Sequence, residues 1–371
     1  MAHGTYRGGV IAQVSADSPP DMVDWGLAVS TARRMAGTGP TLDSAGTAAT
    51  VAELRDCARR AETFVAEHTG LVASRGTAPV VVVDRSGWIQ ANADAFRLLL
   101  GPVEERLREK RPGGRWDGLG SRITGVEVGL MLGFLASKVL GQYDPFLAES
   151  ARHPGEEGRL LLVAPNVVEV ERQLDVVPRD FRMWVCLHEE THRVQFGAVP
   201  WMRDHLRGEI DLVLAATPME LGELLERLLS AVRSVADLAR PSAEGPSLLD
   251  LVQTPEQREV VERLSAVMAL LEGHADVVMD DVGPEVVPSV ATIRARFSRR
   301  RDSAIGLSRL FRRLLGLEAK MRQYREGAAF VRGVYDRVGM EGFNAVWSSP
   351  QALPSPAEIA DPGAWVARVH G

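Results

Sequence analysis

Two histidines, His188 and His192, stand four residues apart in the run Leu-His-Glu-Glu-Thr-His-Arg-Val-Gln-Phe at positions 187–196. On an α-helix that spacing puts both imidazoles on one side, a turn apart. Two imidazoles so placed suit a tetrahedral zinc ion, which in hydrolytic sites keeps one position for water. Glu189 is turned toward the edge of such a site, where a carboxylate can take a proton from water without being a ligand. Trp184, Val185, Leu187 and Val194 flank the motif, so the helix is at least partly buried. Buried imidazoles without partners are unfavourable, and a plain core helix therefore explains the pair less well than a metal does.

A third donor decides the matter. An extension to His-Glu-x-x-His-x-x-Gly-x-x-His would need Gly at 195 and His at 198, but the residues there are Gln195 and Ala198. The other common arrangement takes a Glu from a second helix, followed four residues later by an Asp that orients an imidazole. Glu171 with Asp175 has this spacing in a polar stretch, and Glu272 with Asp276 has it between Leu270-Leu271 and Val277-Val278-Met279. Carboxylates one turn apart in apolar surroundings repel each other and are costly to bury without a cation. A solvent-facing stripe of Glu272, Asp276 and Asp280 is the rival explanation. The assignment is Zn2+ held by His188, His192 and Glu272, with Asp276 bonding an imidazole N–H behind them and Glu189 as general base. Gly273 fits, because it admits a close backbone at a helix-propensity cost of about 1 kcal/mol. His274 lies about 200° around the helix from Glu272 and is not a co-ligand. His205 is a spare candidate for an oxyanion stabiliser.

The elements that must carry these residues read as mostly helical. Pro178 and Asp180 suit the first turn of the motif helix, and Gly197 with Pro200 suits its end. Residues 23–70, 84–100 and 123–141 have helical apolar spacing, as do 219–239 and 255–283. The apolar run in Gly-Arg-Leu-Leu-Leu-Val-Ala-Pro-Asn (158–166) is the best strand candidate, and the β-branched run that opens Pro-Val-Val-Val-Val (79–83) is a second. The run Pro-Glu-Val-Val-Pro-Ser-Val (284–290) reads as extended, and the Pro-punctuated tail from Ser348 as a surface wrap. The expectation is a mainly α domain with little sheet. Residues 1–20 form a flexible tail and 21–371 one domain, whose parts run over about 21–157, 158–285 (metal-binding) and 286–371 (Arg-rich).

Composition sets the class. The chain has 371 residues, 45% hydrophobic and 25% charged, with net charge −6. Such a chain can bury a sizeable core, and its acidity argues against a surface built for nucleic acid. Two cysteines exclude a disulfide framework and favour a reducing cytoplasm. The N-terminus has no signal-peptide pattern, and the most apolar run is shorter than the roughly 18 residues a membrane span needs.

Several stretches together resemble a known family. They include Val23–Ala36 (VDWGLAVSTARRMA), Val82–Phe96 (VVDRSGWIQANADAF), Leu135–Phe146 (LASKVLGQYDPF), Leu161–Leu206, Leu270–Gly283 and Gly316–Val331, and they span nearly everything from Val23 to Val369. The chain resembles the bacterial, largely actinobacterial, zincin-like metallopeptidases, and within them a subgroup associated with biosynthesis of the deazaflavin redox coenzyme. The resemblance implies a mainly helical zincin-like domain, with His188, His192 and Glu272 as ligands and Glu189 as base. It supplies no substrate, and the coenzyme association names no reaction. One departure stands out. Positions 190 and 193 of such helices are usually uncharged, yet Glu190 and Arg193 occupy them here and can pair across a turn. This face should then be wetter than usual or covered by another element, which counts against an efficient general peptidase and leaves metal binding untouched.

Residues 294–325 carry a concentration of arginine, from Arg294, Arg296, Arg299, Arg300 and Arg301 through Arg309, Arg312 and Arg313 to Arg325. A nucleic-acid surface or a carboxylate clamp is one reading. A helix face paired with the acidic remainder is the favoured one, since aromatics for base stacking are sparse. The functional expectation is a cytoplasmic zinc hydrolase, a metallopeptidase acting on a peptide or protein, with neither nucleic acid nor membrane as partner. The rivals are a catalytically idle zinc-stabilised scaffold and a small-molecule amidase.

Overall fold

The computed structural model describes residues 22–73, 78–110, 118–146, 158–215, 255–302 and 317–371. The expected tail at 1–20, the helix at 219–239, and Arg309, Arg312 and Arg313 lie outside these segments. Helices dominate: α1 (Trp25–Ala36), α2 (Ser44–Thr69), α3 (Arg85–Lys110), α4 (Gly118–Ala136), α5 (Ala164–Leu174), α6 (Pro178–Ala198) and α7 (Met202–Ala215). After the undescribed stretch come α8 (Pro255–Val286), α9 (Val290–Asp302) and α10 (Leu317–Phe343), then two 3₁₀ turns and the short helices α11 (Pro356–Ala360) and α12 (Pro362–His370).

A three-stranded sheet lies among them in the order β1 (Val80–Val83), β3 (Arg159–Val163), β2 (Gly141–Asp144). β1 runs parallel to β3, with Val80 opposite Leu160, and β2 runs antiparallel, with Gly141 opposite Leu162. Leu160 to Val163 are all buried. The run Leu-Leu-Leu-Val has no polar alternation because both of its faces are covered, the pattern of a central strand. Arg159–Val163 is therefore the central strand, and β1 and β2 are the two edges of the sheet.

α6 forms the middle of the core. Pro178 opens it without sacrificing a hydrogen bond, and the Asp180 carboxylate accepts from the Ser289 N–H at 3.0 Å and hydroxyl at 2.6 Å. Phe181, Met183, Val185, Cys186 and Leu187 are buried against Leu54, Cys57, Ala58, Ala61 and Val65 of α2 and against Val278 and Met279 of α8. Each such side chain, fully buried, is worth roughly 1.5–3 kcal/mol in transfer free energy. α8 in turn crosses α10 at very short range. A Cβ on Gly273 would lie 2.2 Å from the Gly327 carbonyl carbon, and one on Gly327 would lie 1.9 Å from the Ala269 oxygen. The close backbone approach expected at Gly273 is thus made by α10.

Two expectations fail in the C-terminal third. Residues 284–286 are the last turn of α8 rather than an extended link. A proline there removes one intrahelical hydrogen bond near an end, where fewer are at stake than in mid-helix. The tail from Ser348 also enters the core. Trp365 is fully buried, its Nε1–H donates to the Ala352 oxygen at 2.8 Å, and its ring meets Phe330 edge-on. Pro350, Pro356 and Pro362 each open a helical turn, so they start structure here instead of breaking it.

Candidate metal centre

α6 presents His188 and His192 toward α8, which presents Glu272. Their donor atoms converge: His188 Nε2 to His192 Nε2 is 3.2 Å, and Glu272 Oε2 lies 3.4 Å from the first and 3.8 Å from the second. All three ligand atoms fall within 4.8 Å of one another. Donors bound tetrahedrally at about 2.0–2.1 Å from a zinc ion stand roughly 3.3–3.5 Å apart, so these separations fit the ion.

The electrostatics also favour a cation. Burial alone would lower the His188 imidazole, but the bond to Glu272 and the charges of Glu272, Glu189 and Asp276 override it and hold the group at about 9. Burial would likewise raise Glu272, yet the two imidazoles keep it well below the usual carboxylate range. Positive charge is stabilised at this point whichever group carries it.

Glu189 is buried beside the triad, and burial pushes its carboxyl above the ordinary value. Its position depends on β2: a Cβ on Gly141 would lie 2.6 Å from Glu189 Cγ. Glycine is the one residue that leaves room for the base, a requirement carried by the fold rather than by any motif. Two cavities meet at His188, Glu189 and Glu272. One of about 390 Å³ is lined by Gly141, Gln142, Tyr143, Phe146 and Phe196 of β2 and α6, and by apolar residues of α7 and α8. The other, about 250 Å³, opens beside Trp184, Met279, Asp276, Arg294 and Phe297.

Asp276 does not have the expected role. It lines the smaller cavity, its backbone oxygen accepts from Arg294 Nη2 at 3.0 Å, and its carboxylate lies 3.9 Å from the same guanidinium. Among the described contacts none joins it to an imidazole. The position behind His188 is taken by Met279, whose sulfur lies 3.1 Å from Nδ1, and the one behind His192 by Gln195, whose Oε1 lies 3.0 Å from Nδ1. His205 packs edge-on against Trp201 and lines neither cavity. His274 points away from the triad as expected. It is fully buried between Phe343 and Trp347, and burial holds it neutral with a pKa of about 3.

The charged pair on α6 is dry. Glu190 is wholly buried and Arg193 nearly so. The guanidinium reaches Glu190 Oε2 at 2.5 Å, Glu62 Oε2 at 2.8 Å and the Ala78 oxygen at 2.8 Å. Of the two readings, cover by another element is the correct one, and α2 supplies it. In the basic segment Arg294 pairs with Asp280 and Arg296 with Asp175, while Arg299 and Arg300 donate to the Ala295 oxygen and to Gln173 Oε1.

A mainly helical domain whose His-Glu-x-x-His helix is completed by a glutamate from a second helix belongs, by site and fold, with the zincin class of metal-dependent hydrolases. The chain is a member of the zincin-like metallopeptidase family, whose model matches residues 23–366. A solved structure from Chloroflexus aurantiacus, described as a proposed hydrolase with a novel fold, is 30% identical with a TM-score of 0.68. That match covers 94% of this chain and 99% of the other. No curated protein shows significant similarity. Among the described residues no helix is long and apolar enough to cross a membrane.

Proposed function

We propose that this protein is a zinc-dependent peptidase in which His188, His192 and Glu272 hold the metal and Glu189 is the general base. The observation that carries the reading is the convergence of two imidazoles and a carboxylate within 4.8 Å, with a second buried carboxylate beside them. Zinc bound there supplies Lewis-acid polarisation of a carbonyl and lowers the pKa of water to about 7. Glu189 takes a proton from the attacking water and delivers it to the departing amine. A carboxylate buried beside the ligand set is placed for both halves of that transfer. β2 is an edge of the sheet, and its backbone can align an extended peptide by main-chain hydrogen bonds. A chain laid along Gly141–Tyr143 would run over the larger cavity and past Glu189.

The test combines metal content with digestion of a peptide library. Wild type should hold one zinc and Glu272→Ala should lose it; full occupancy in that variant removes Glu272 from the ligand set. Glu189→Gln should keep the metal and lose about 10²–10⁴-fold in cleavage rate. Unchanged cleavage by that variant would falsify the mechanism.

A further inference from the structure

Gln195 occupies a position that its place in the motif does not announce. Its side chain makes three contacts: Nε2 to the Leu271 oxygen at 3.0 Å and to His274 Nδ1 at 2.9 Å, both buried, and Oε1 to His192 Nδ1 at 3.0 Å, part-buried. The amide orientation follows from chemistry. A backbone oxygen can only accept, so the atom facing Leu271 must be the NH₂ group, and the atom facing His192 must be the carbonyl oxygen. An amide oxygen can only accept in turn, so His192 Nδ1 carries the hydrogen. Its Nε2 is then a bare lone pair aimed at His188 and Glu272. By the same logic His274 Nδ1 accepts, and its proton sits on Nε2.

We infer that Gln195, with His274 behind it, is the positioning residue that fixes the His192 tautomer and sets the zinc affinity of the site. The inference rests on reading His188, His192 and Glu272 as the metal ligands and is independent of what the protein hydrolyses. Three features support it. Gln195 and His274 are both fully buried, so the bond between them and the one to the Leu271 oxygen are shielded from water. The anchoring oxygen belongs to Leu271, the residue next to the ligand Glu272, so one amide links the two ligand-bearing helices α6 and α8. His274 is clamped between the Phe343 and Trp347 rings, with centroids at 5.1 and 5.5 Å, so the acceptor that faces Gln195 cannot swing away. His188 has no comparable partner, because a thioether is a weak acceptor.

The experiment measures zinc affinity by competition with a chromophoric chelator, and melting in excess chelator, for wild type, His192→Ala, Gln195→Leu and Gln195→Glu. Gln195→Leu should bind zinc about 10–100-fold more weakly, as other losses behind a ligating histidine do, and should also melt lower without metal, because His274 and His192 lose a hydrogen-bond partner. Gln195→Glu keeps an acceptor for the His192 N–H but sets a carboxylate against the Leu271 oxygen. It should retain affinity within several-fold of wild type and melt lower. A merely structural role would lower melting in both variants and leave both affinities alone. The inference is overturned if Gln195→Leu binds zinc as wild type does. Should that variant not fold, it is overturned if Gln195→Glu binds as poorly as His192→Ala. A wild type that takes up no zinc, unlike these outcomes, removes the metal site itself and the inference with it.

Discussion

The two polar faces of α6 differ in what they hold and in how their charges are met. On one, Glu190 pairs with Arg193 through Oε2, and the guanidinium also reaches Glu62 and the Ala78 oxygen, so the cation meets its acceptors within the chain. On the other, His188 and His192 converge with Glu272 beside Glu189, and among the described residues no lysine or arginine joins them. The ion pair is buried, whereas the histidine–glutamate cluster is only half-buried. What separates a structural ion pair from a ligand site is whether acceptors are matched by internal donors or gathered, unmatched, around one point.

That contrast can be broken by experiment. The largest effect should come from His192→Ala, which loses zinc from metal analysis while melting in excess chelator stays near that of the metal-free wild type. On the opposite face Arg193→Ala should reverse the pattern. It leaves Glu190 buried without its partner, lowering stability by about 3–5 kcal/mol in denaturant titration, yet the folded fraction should bind zinc normally. Replacing both members, Glu190→Met with Arg193→Leu, should restore most of that loss. A double variant as unstable as the single one would mean that the pair contributes more than mutual neutralisation. Gly141→Ala should act on the site without touching a ligand. By displacing Glu189 it should cut peptide cleavage by roughly 10²-fold at unchanged zinc content. The smallest effect concerns His68, whose imidazole is lowered by burial and by Arg332 against the pull of Asp281. A histidine lowered in the folded state costs stability as pH falls below the unfolded value of about 6.5, because the unfolded chain takes the proton first. His68→Gln should flatten that acid-side slope by less than about 1 kcal/mol, measured in the metal-free protein. An unchanged slope would assign the titration to another group.

Much of the site was legible because its information is local. The four-residue spacing of His188 and His192 states a helix face directly, and Glu272 was marked by the apolar residues around it. What stayed hidden depends on how elements meet. Asp276 has the right spacing from Glu272, but α9 brings Arg294 to it while Met279 reaches His188. Gln195 reads in sequence as a residue that excludes one ligand pattern, and only the approach of α8 gives its amide an anchor. Gly141 sits at the start of a four-residue strand with no periodicity of its own, so its bearing on Glu189 needs the register of β2 against β3. Glu190 and Arg193 could be paired from spacing alone, whereas Glu62, which completes their shell, lies more than a hundred residues away in the chain.

The crossing of Gly273 with Gly327 has a consequence for how the protein comes into being. During synthesis His188 and His192 emerge well before Glu272, and Glu272 emerges well before the helix whose backbone presses on its neighbour Gly273. Phe343 and Trp347, which hold the histidine behind Gln195, come later still. A fragment that stops short of residue 347 therefore carries all three donors but lacks the rings that clamp His274 behind Gln195.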